Sequence, residues 1–268
     1  MRGISGMGAL LLSALALAAC SAQPPPTAAS PLRVASASSA QPLVAALAQA
    51  WEASGQGTPL DVWETNTALA LARLGAGQAD LAAACWKPGE GTPTPAAVQA
   101  GWRWVPIAYD AVVLVVHPGN PLEGLTLAQV RELFAGRVAR WSDLGGGPER
   151  VLPVSREEGS GTRWDFEALV MQGARVTPAA VVMPSGCAVV EFVAENPGAV
   201  GYVGLAGAKE GVKVLALEGV RPSGATVREG TYPLPRLCYL ILPSSHAPRA
   251  EAFVRFATGE AGQKALAP

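Results

Sequence analysis

Three observations predict an α/β fold. A short apolar strand, a turn of small hydroxyl residues and an amphipathic helix follow one another as a unit three times along the chain. Further strand-like and helix-like segments alternate between and beyond these units. Half of the 268 residues are hydrophobic, enough to bury the core of one large or two small domains. Recurrent strand-to-helix connections belong to a central sheet flanked by helices, and ligands of such sheets sit where helix starts meet the carboxyl ends of strands.

The chain opens with Arg2 and an apolar run from Met7 to Ala19 that is short for a bilayer span and ends in small residues. Residues 1–19 therefore read as a cleaved signal peptide. The run closes as "LALAAC", which resembles the lipobox of bacterial lipoproteins, in which the cysteine, here Cys20, is lipidated and becomes the mature N-terminus. An ordinary secretory signal that happens to carry a cysteine is the alternative. Residues 20–31 are rich in Pro, Ala and Ser and lack the apolar bulk to pack, as expected of an extended tether. These features point to a protein outside the cytoplasm, held to a bacterial membrane.

In the first unit, "LRVASASSAQPLVAALAQAW", a strand leads through Ser36 to Ser39 into a helix with Pro42 in its first turn and Leu43, Leu47 and Trp51 on one face. In the second, a strand over Leu60 to Trp63 passes through a polar turn, Thr65 to Thr67, into a helix closed by Gly75 or Gly77. Strands over "ADLAAAC" and "IAYDAVVLVVHP" come next, then a helix capped near Thr126, ended by Gly136 and followed by a loop. The third unit has a strand over Val151 to Val154 and a helix bearing Trp164, Leu169 and Val170. A helix, a Pro-Gly turn and a strand over "VVEFVAENPGAVGYVGL", a strand over "YPLPRLCYLIL" and a terminal helical pair complete the chain.

The turn of the third unit, "REEGSGT", carries the chemistry. The first N–H groups of a helix lack partners within it, and its dipole makes that end partly positive. Gly159 and Gly161 admit a close approach of the backbone, Ser160 and Thr162 add hydroxyls, and Arg156 offers a planar fork matched to an oxyanion. Anion capture is the reading. Charged residues make up only 15% and the net charge is −1, so no basic field suits a nucleic acid. "EGSGT" lacks the spacing of a nucleophile elbow, and the two histidines, His117 and His246, read as loop or surface residues rather than bases. No His/Cys/carboxylate spacing suggests a metal, and no cofactor is expected.

The stretches "IAYDAVVLVVHPGNPLEGLTLAQVRELFAGRVARWSDLGG", "VSREEGSGTRWDFE", "NPGAVGYVGL" and "YPLPRLCYLIL" closely resemble the substrate-binding protein of bacterial ABC phosphate importers. The resemblance implies a two-lobed periplasmic-binding-protein fold with two crossover strands, "IAYDAVVLVV" and "YPLPRLCYLIL". Residues 32–111 with 235–268 would form one lobe and 112–234 the other. It implies a monomer that binds the phosphate ion between the lobes and delivers it to ABC permease subunits. It assigns anion contacts to Arg156, Ser160, Gly161 and Thr162, to Ser39 with Ser38 beside it, and to Thr67. Glu158 would orient Arg156. One position departs from the pattern: where well-known members carry Asp or Ser, this chain has Cys85. Cys85 is thus a candidate selectivity residue, a small packed residue, or half of a disulfide, with a Cys85–Cys187 bridge across the lobes as one pairing among Cys85, Cys187 and Cys238. The alternatives in function are another tetrahedral oxyanion (sulfate, molybdate or tungstate), a sensor with no importer, a serine hydrolase on this scaffold, or a surface protein that uses the fold structurally.

Overall fold

A computed structural model describes residues 30–55, 57–86, 89, 98, 100–245 and 248–267. The expected signal peptide, Cys20, most of the tether and His246 lie outside the described residues.

The first half of the chain begins with β1 (Leu32–Ala37), α1 (Gln41–Ala53), β2 (Leu60–Thr65), α2 (Thr67–Gly75) and β3 (Leu81–Ala84), followed by the long β4 (Arg103–Val116). After it come β5 (Gly124–Leu125), α3 (Leu127–Phe134), β6 (Leu152–Arg156), α4 (Gly161–Phe166), β7 (Val181–Met183), α5 (Gly186–Glu195) and β8 (Ala199–Gly204). The chain closes through β9 (Lys213–Val214), β10 (Ala216–Leu217), α6 (Gly224–Arg228), β11 (Pro235–Leu242), α7 (Pro248–Thr258) and α8 (Glu260–Ala265).

The main sheet runs β2-β1-β3-β11-β4-β8-β6-β7, with β9 also paired to β4. Within each half the pairing is parallel: β1 pairs with β2 and β3, and β6 with β7 and β8. The halves are joined through two antiparallel strands. Between Arg103 and Ala111, β4 pairs with β11, and from Val112 onward it pairs with β8. Each half has its own core. In one, Leu47 and Trp51 of α1 meet Phe253 of α7 on one sheet face, while Leu71, Leu74 and Trp86 cover the other. In the second, Val113 and Val115 pack with Phe134, Phe166 and Tyr202. The two expected crossovers are thus strands of the sheet itself. Among the described residues no helix is long and apolar enough to cross a membrane.

Several element starts follow sequence logic. Asn66 caps α2, Thr126 caps α3 in a reciprocal box with Gln129, and Ser160 caps α4. Pro42 stands in the first turn of α1, and α2 ends at Gly75 with Gly77 at φ +68° just beyond. The helix of the third unit differs from expectation. α4 has six residues and passes directly into a π-helical turn, Glu167–Met171. A π turn inserts extra backbone and rotates the buried face. Val170 and Met171 point inward, whereas Leu169 is exposed.

A candidate anion-binding cleft

The third unit ends its strand two residues later than expected, so Arg156 is the last residue of β6 rather than part of a loop. That placement buries its guanidinium to 1% exposure. Burial of an unpaired charge is costly, and two neighbours meet it. Arg156 Nη2 donates to Ser38 Oγ at 2.8 Å, reaching a residue that follows β1 in the other half. Arg156 Nε donates to Glu157 Oε2 at 3.0 Å and Nη2 to Glu157 Oε1 at 3.1 Å. The expectation that Glu158 orients Arg156 is corrected: Glu158 is exposed, and the adjacent Glu157 grips the guanidinium. β6 ends at Arg156, so Glu157 lies beyond the strand's alternation of faces and its carboxylate folds back onto the neighbouring side chain.

Arg156, Ser38, Ser39 and Thr162 line one cavity of about 140 Å³, with Cys187 and Lys209 at its edge. The space admits several waters and is large enough for a small oxyanion. Ser39 Oγ accepts from the Cys85 N–H at 3.4 Å, leaving its own proton free for another acceptor. Ser160, Gly161 and Thr67 are buried, but they stand beside this cavity, where the halves touch. The Gly161 N–H donates to Thr67 Oγ1 at 3.2 Å, and the Ala68 N–H donates to the Gly159 carbonyl at 3.0 Å. The glycines allow this closeness, since a Cβ on Gly161 would lie 2.7 Å from both Thr67 Oγ1 and Trp86 Cβ. Trp86 is buried against Gly161 and meets Trp164 edge to face at 4.9 Å, so it helps seal the contact between the halves.

Of the alternatives left open for Cys85 the disulfide holds, but the Cys85–Cys187 pairing is corrected. Cys85 is bonded to Cys238, not to Cys187, which is free and exposed. In β11 Tyr239 faces Ala84 of β3, so antiparallel register sets the next pair, Cys238 and Cys85, opposite each other. The two sulfurs and a carboxylate oxygen of Asp110 lie within 4.8 Å of one another. They form no metal site, because the S–S bond leaves no thiolate and Asp110 is committed to Arg236.

A second buried charge group was missed from the sequence. Arg236 of β11 donates from Nε to Asp110 Oδ2 at 2.9 Å, and from Nη1 to Thr162 Oγ1 at 3.0 Å and Asp165 Oδ2 at 3.2 Å. Arg236 and Asp110 are also cross-strand partners. Burial, outweighing the pull of Arg236, pushes the Asp165 carboxyl up to about 6. An Arg and an Asp on separate apolar strands, "LPRL" and "AYDAV", gave the only hint of this pair.

A sequence profile of the PBP superfamily domain matches residues 21–261. The phosphate-binding protein PstS of Pseudomonas aeruginosa strain PAO1 is 30% identical over 184 residues, 60% of this chain and 57% of that protein. PstS of Bacillus subtilis is 27% identical over 129 residues, 48% of this chain and 43% of that protein. The chain thus spans about half the length of these curated relatives. An ABC-type phosphate transport receptor from Vibrio cholerae superposes with a TM-score of 0.69 at 25% identity, over 88% of this chain and 96% of that one. A structure from Clostridium perfringens, described as a phosphate ABC transporter substrate-binding protein with bound phosphate, shares the fold at a TM-score of 0.81 and 24% identity, with 88% and 96% covered. Two half-sheets joined through a pair of antiparallel strands, a buried arginine at their junction and a profile match over nearly the whole chain lead to one conclusion: the chain belongs to the PBP superfamily of periplasmic-binding-protein folds.

Proposed function

We propose that this protein is an extracytoplasmic lipoprotein, anchored through Cys20, that binds inorganic phosphate between two lobes and hands it to the permease of an ABC importer. The lobes are residues 32–111 with 235–268, and residues 112–234. The observation that carries the reading is Arg156, buried to 1% exposure at the wall of a cavity shared with Ser38, Ser39 and Thr162. A guanidinium with oriented hydroxyl and backbone donors, shielded from water, holds a dianion through charge-assisted bonds without a metal. On this reading Ser160, Gly161 and Thr67 join the ligand shell through small shifts at the contact between the halves. Phosphate capture and delivery involve no bond-making, and Ser160 Oγ accepts from the Arg163 N–H at 3.3 Å, with no base among its partners.

One observation favours a second reading, a different or broader oxyanion. Cys85, where the resembling family carries Asp or Ser, is closed in a disulfide and supplies no carboxylate to accept the proton of hydrogen phosphate. Titration calorimetry of the mature chain against phosphate, sulfate, molybdate and tungstate separates the two. Phosphate binding with sulfate at least about tenfold weaker supports the first reading, and sulfate or molybdate binding more tightly overturns it. Phosphate-ester turnover that disappears in Ser160→Ala would overturn the non-enzymatic assignment.

A further inference from the structure

Thr162 is fully buried, lines the cavity, and accepts a hydrogen bond from Arg236 Nη1 at 3.0 Å. A threonine hydroxyl has one proton and two lone pairs. With a lone pair facing a permanent cation, the proton must point elsewhere, and no acceptor for it stands among the described residues. We propose that Arg236 is a positioning residue for the bound anion: it fixes Thr162 as an obligate donor whose proton faces the cleft. The inference rests on the phosphate reading above and deepens it.

The geometry separates positioning from plain attraction. Arg236 is flanked by Asp110 and Asp165, so one positive charge meets two carboxyls. The cluster as a whole carries no positive excess with which to draw an anion. What it has is rigidity. Asp110 holds Nε from the neighbouring strand, and its other oxygen, Oδ1, accepts from the Ala206 N–H at 3.1 Å. Asp165 holds Nη1 from the same helix turn as Thr162. Gly204 leaves the space filled by the pair: a Cβ there would lie 2.6 Å from Arg236 Nη2 and 2.7 Å from Asp110 Oδ2. A guanidinium spans Asp110 and Thr162 at once because its donors lie in a fixed planar fork, which a lysine ammonium lacks.

The test is a double-mutant cycle read by phosphate calorimetry on the mature chain. Thr162→Val should weaken binding about 10- to 100-fold, and Thr162→Ser, which keeps the hydroxyl, should stay within about threefold of wild type. Arg236→Lys should lose about tenfold in the native background and nothing further in the Thr162→Val background, as expected of two residues acting through one bond. Asp110→Asn keeps its side-chain shape while loosening Arg236, and provides a second cycle should Arg236→Lys fail to fold; its smaller loss should likewise vanish with Thr162→Val. Losses that simply multiply in either cycle, or a Thr162→Ser loss equal to that of Thr162→Val, overturn the inference. Wild-type protein that binds no phosphate overturns the functional reading itself, and this is seen before any variant is compared.

Discussion

Replacing Cys85 and Cys238 together by alanine removes a bond between residues 153 apart in sequence. Both side chains are fully buried, so alanine avoids stranding a hydroxyl. The loop-closure entropy removed from the unfolded chain by a link of that span corresponds to about 5 kcal/mol at 25 °C. For a chain of this size such a loss lowers Tm by about 10 °C. Urea unfolding of wild type, of the double variant and of wild type with dithiothreitol checks it. The variant and the reduced protein should share a lower midpoint, and the slope should rise because the unlinked unfolded chain is more expanded. Cys187→Ala, at an exposed free thiol, should match wild type. A double variant within about 0.5 kcal/mol of wild type, or a wild type indifferent to reductant, would refute both the pairing and the entropic argument built on it.

Arg156→Ala should fold and lose roughly 2–5 kcal/mol of phosphate affinity by calorimetry, as when one partner of a buried charged hydrogen bond is removed; unchanged affinity would place the site elsewhere. Gly161→Ala sets a Cβ 2.7 Å from Thr67 Oγ1 and Trp86 Cβ, so the halves should fail to close; affinity should fall more than about tenfold and the scattering radius with phosphate should exceed that of wild type. Asp165 gives stability a pH dependence of its own. Its carboxyl rises from the ordinary 3.8 to about 6, so between these values the folded chain keeps a proton that the unfolded chain releases. Stability from this group is full below about pH 4 and declines by ~1–3 kcal/mol as pH rises to about 6. Asp165→Asn should remove that slope from the difference in urea midpoints across pH 4–7, and an identical slope in the variant would contradict it.

Much of the architecture was legible because it is written in local chemistry. The cap residue Thr126, Pro42 in the first turn of α1 and the alternation of apolar runs depend on neighbours a few residues away. The two-lobed fold with β4 and β11 as crossovers was legible through resemblance. What depended on register was not. The Cys85–Cys238 pairing follows from Tyr239 facing Ala84, and the Arg236–Asp110 pair from the same antiparallel alignment, which no spacing within one strand reveals. The exchange of Glu158 for Glu157 turns on where β6 ends, a boundary uncertain by a residue or two in any pattern reading. The π turn over Glu167–Met171 was not legible, because a helical reading assumes 3.6 residues per turn throughout. Ser38 reached Arg156 from the other half, a distance of 118 residues along the chain.

The packing around Arg236 also constrains how the sequence can drift. Asp110, Asp165 and Arg236 satisfy one another in a space that exists because Gly204 has no side chain. Loss of Arg236 alone would leave two buried carboxyls without their cation, and a side chain at Gly204 would collide with the Arg236–Asp110 pair, whereas Asp165 can give way to an amide while Asp110 still holds the guanidinium. Asp110, Gly204 and Arg236, lying on β4, β8 and β11, are therefore coupled, and exchange of the charged pair for an apolar one costs less when both change together than when either changes alone.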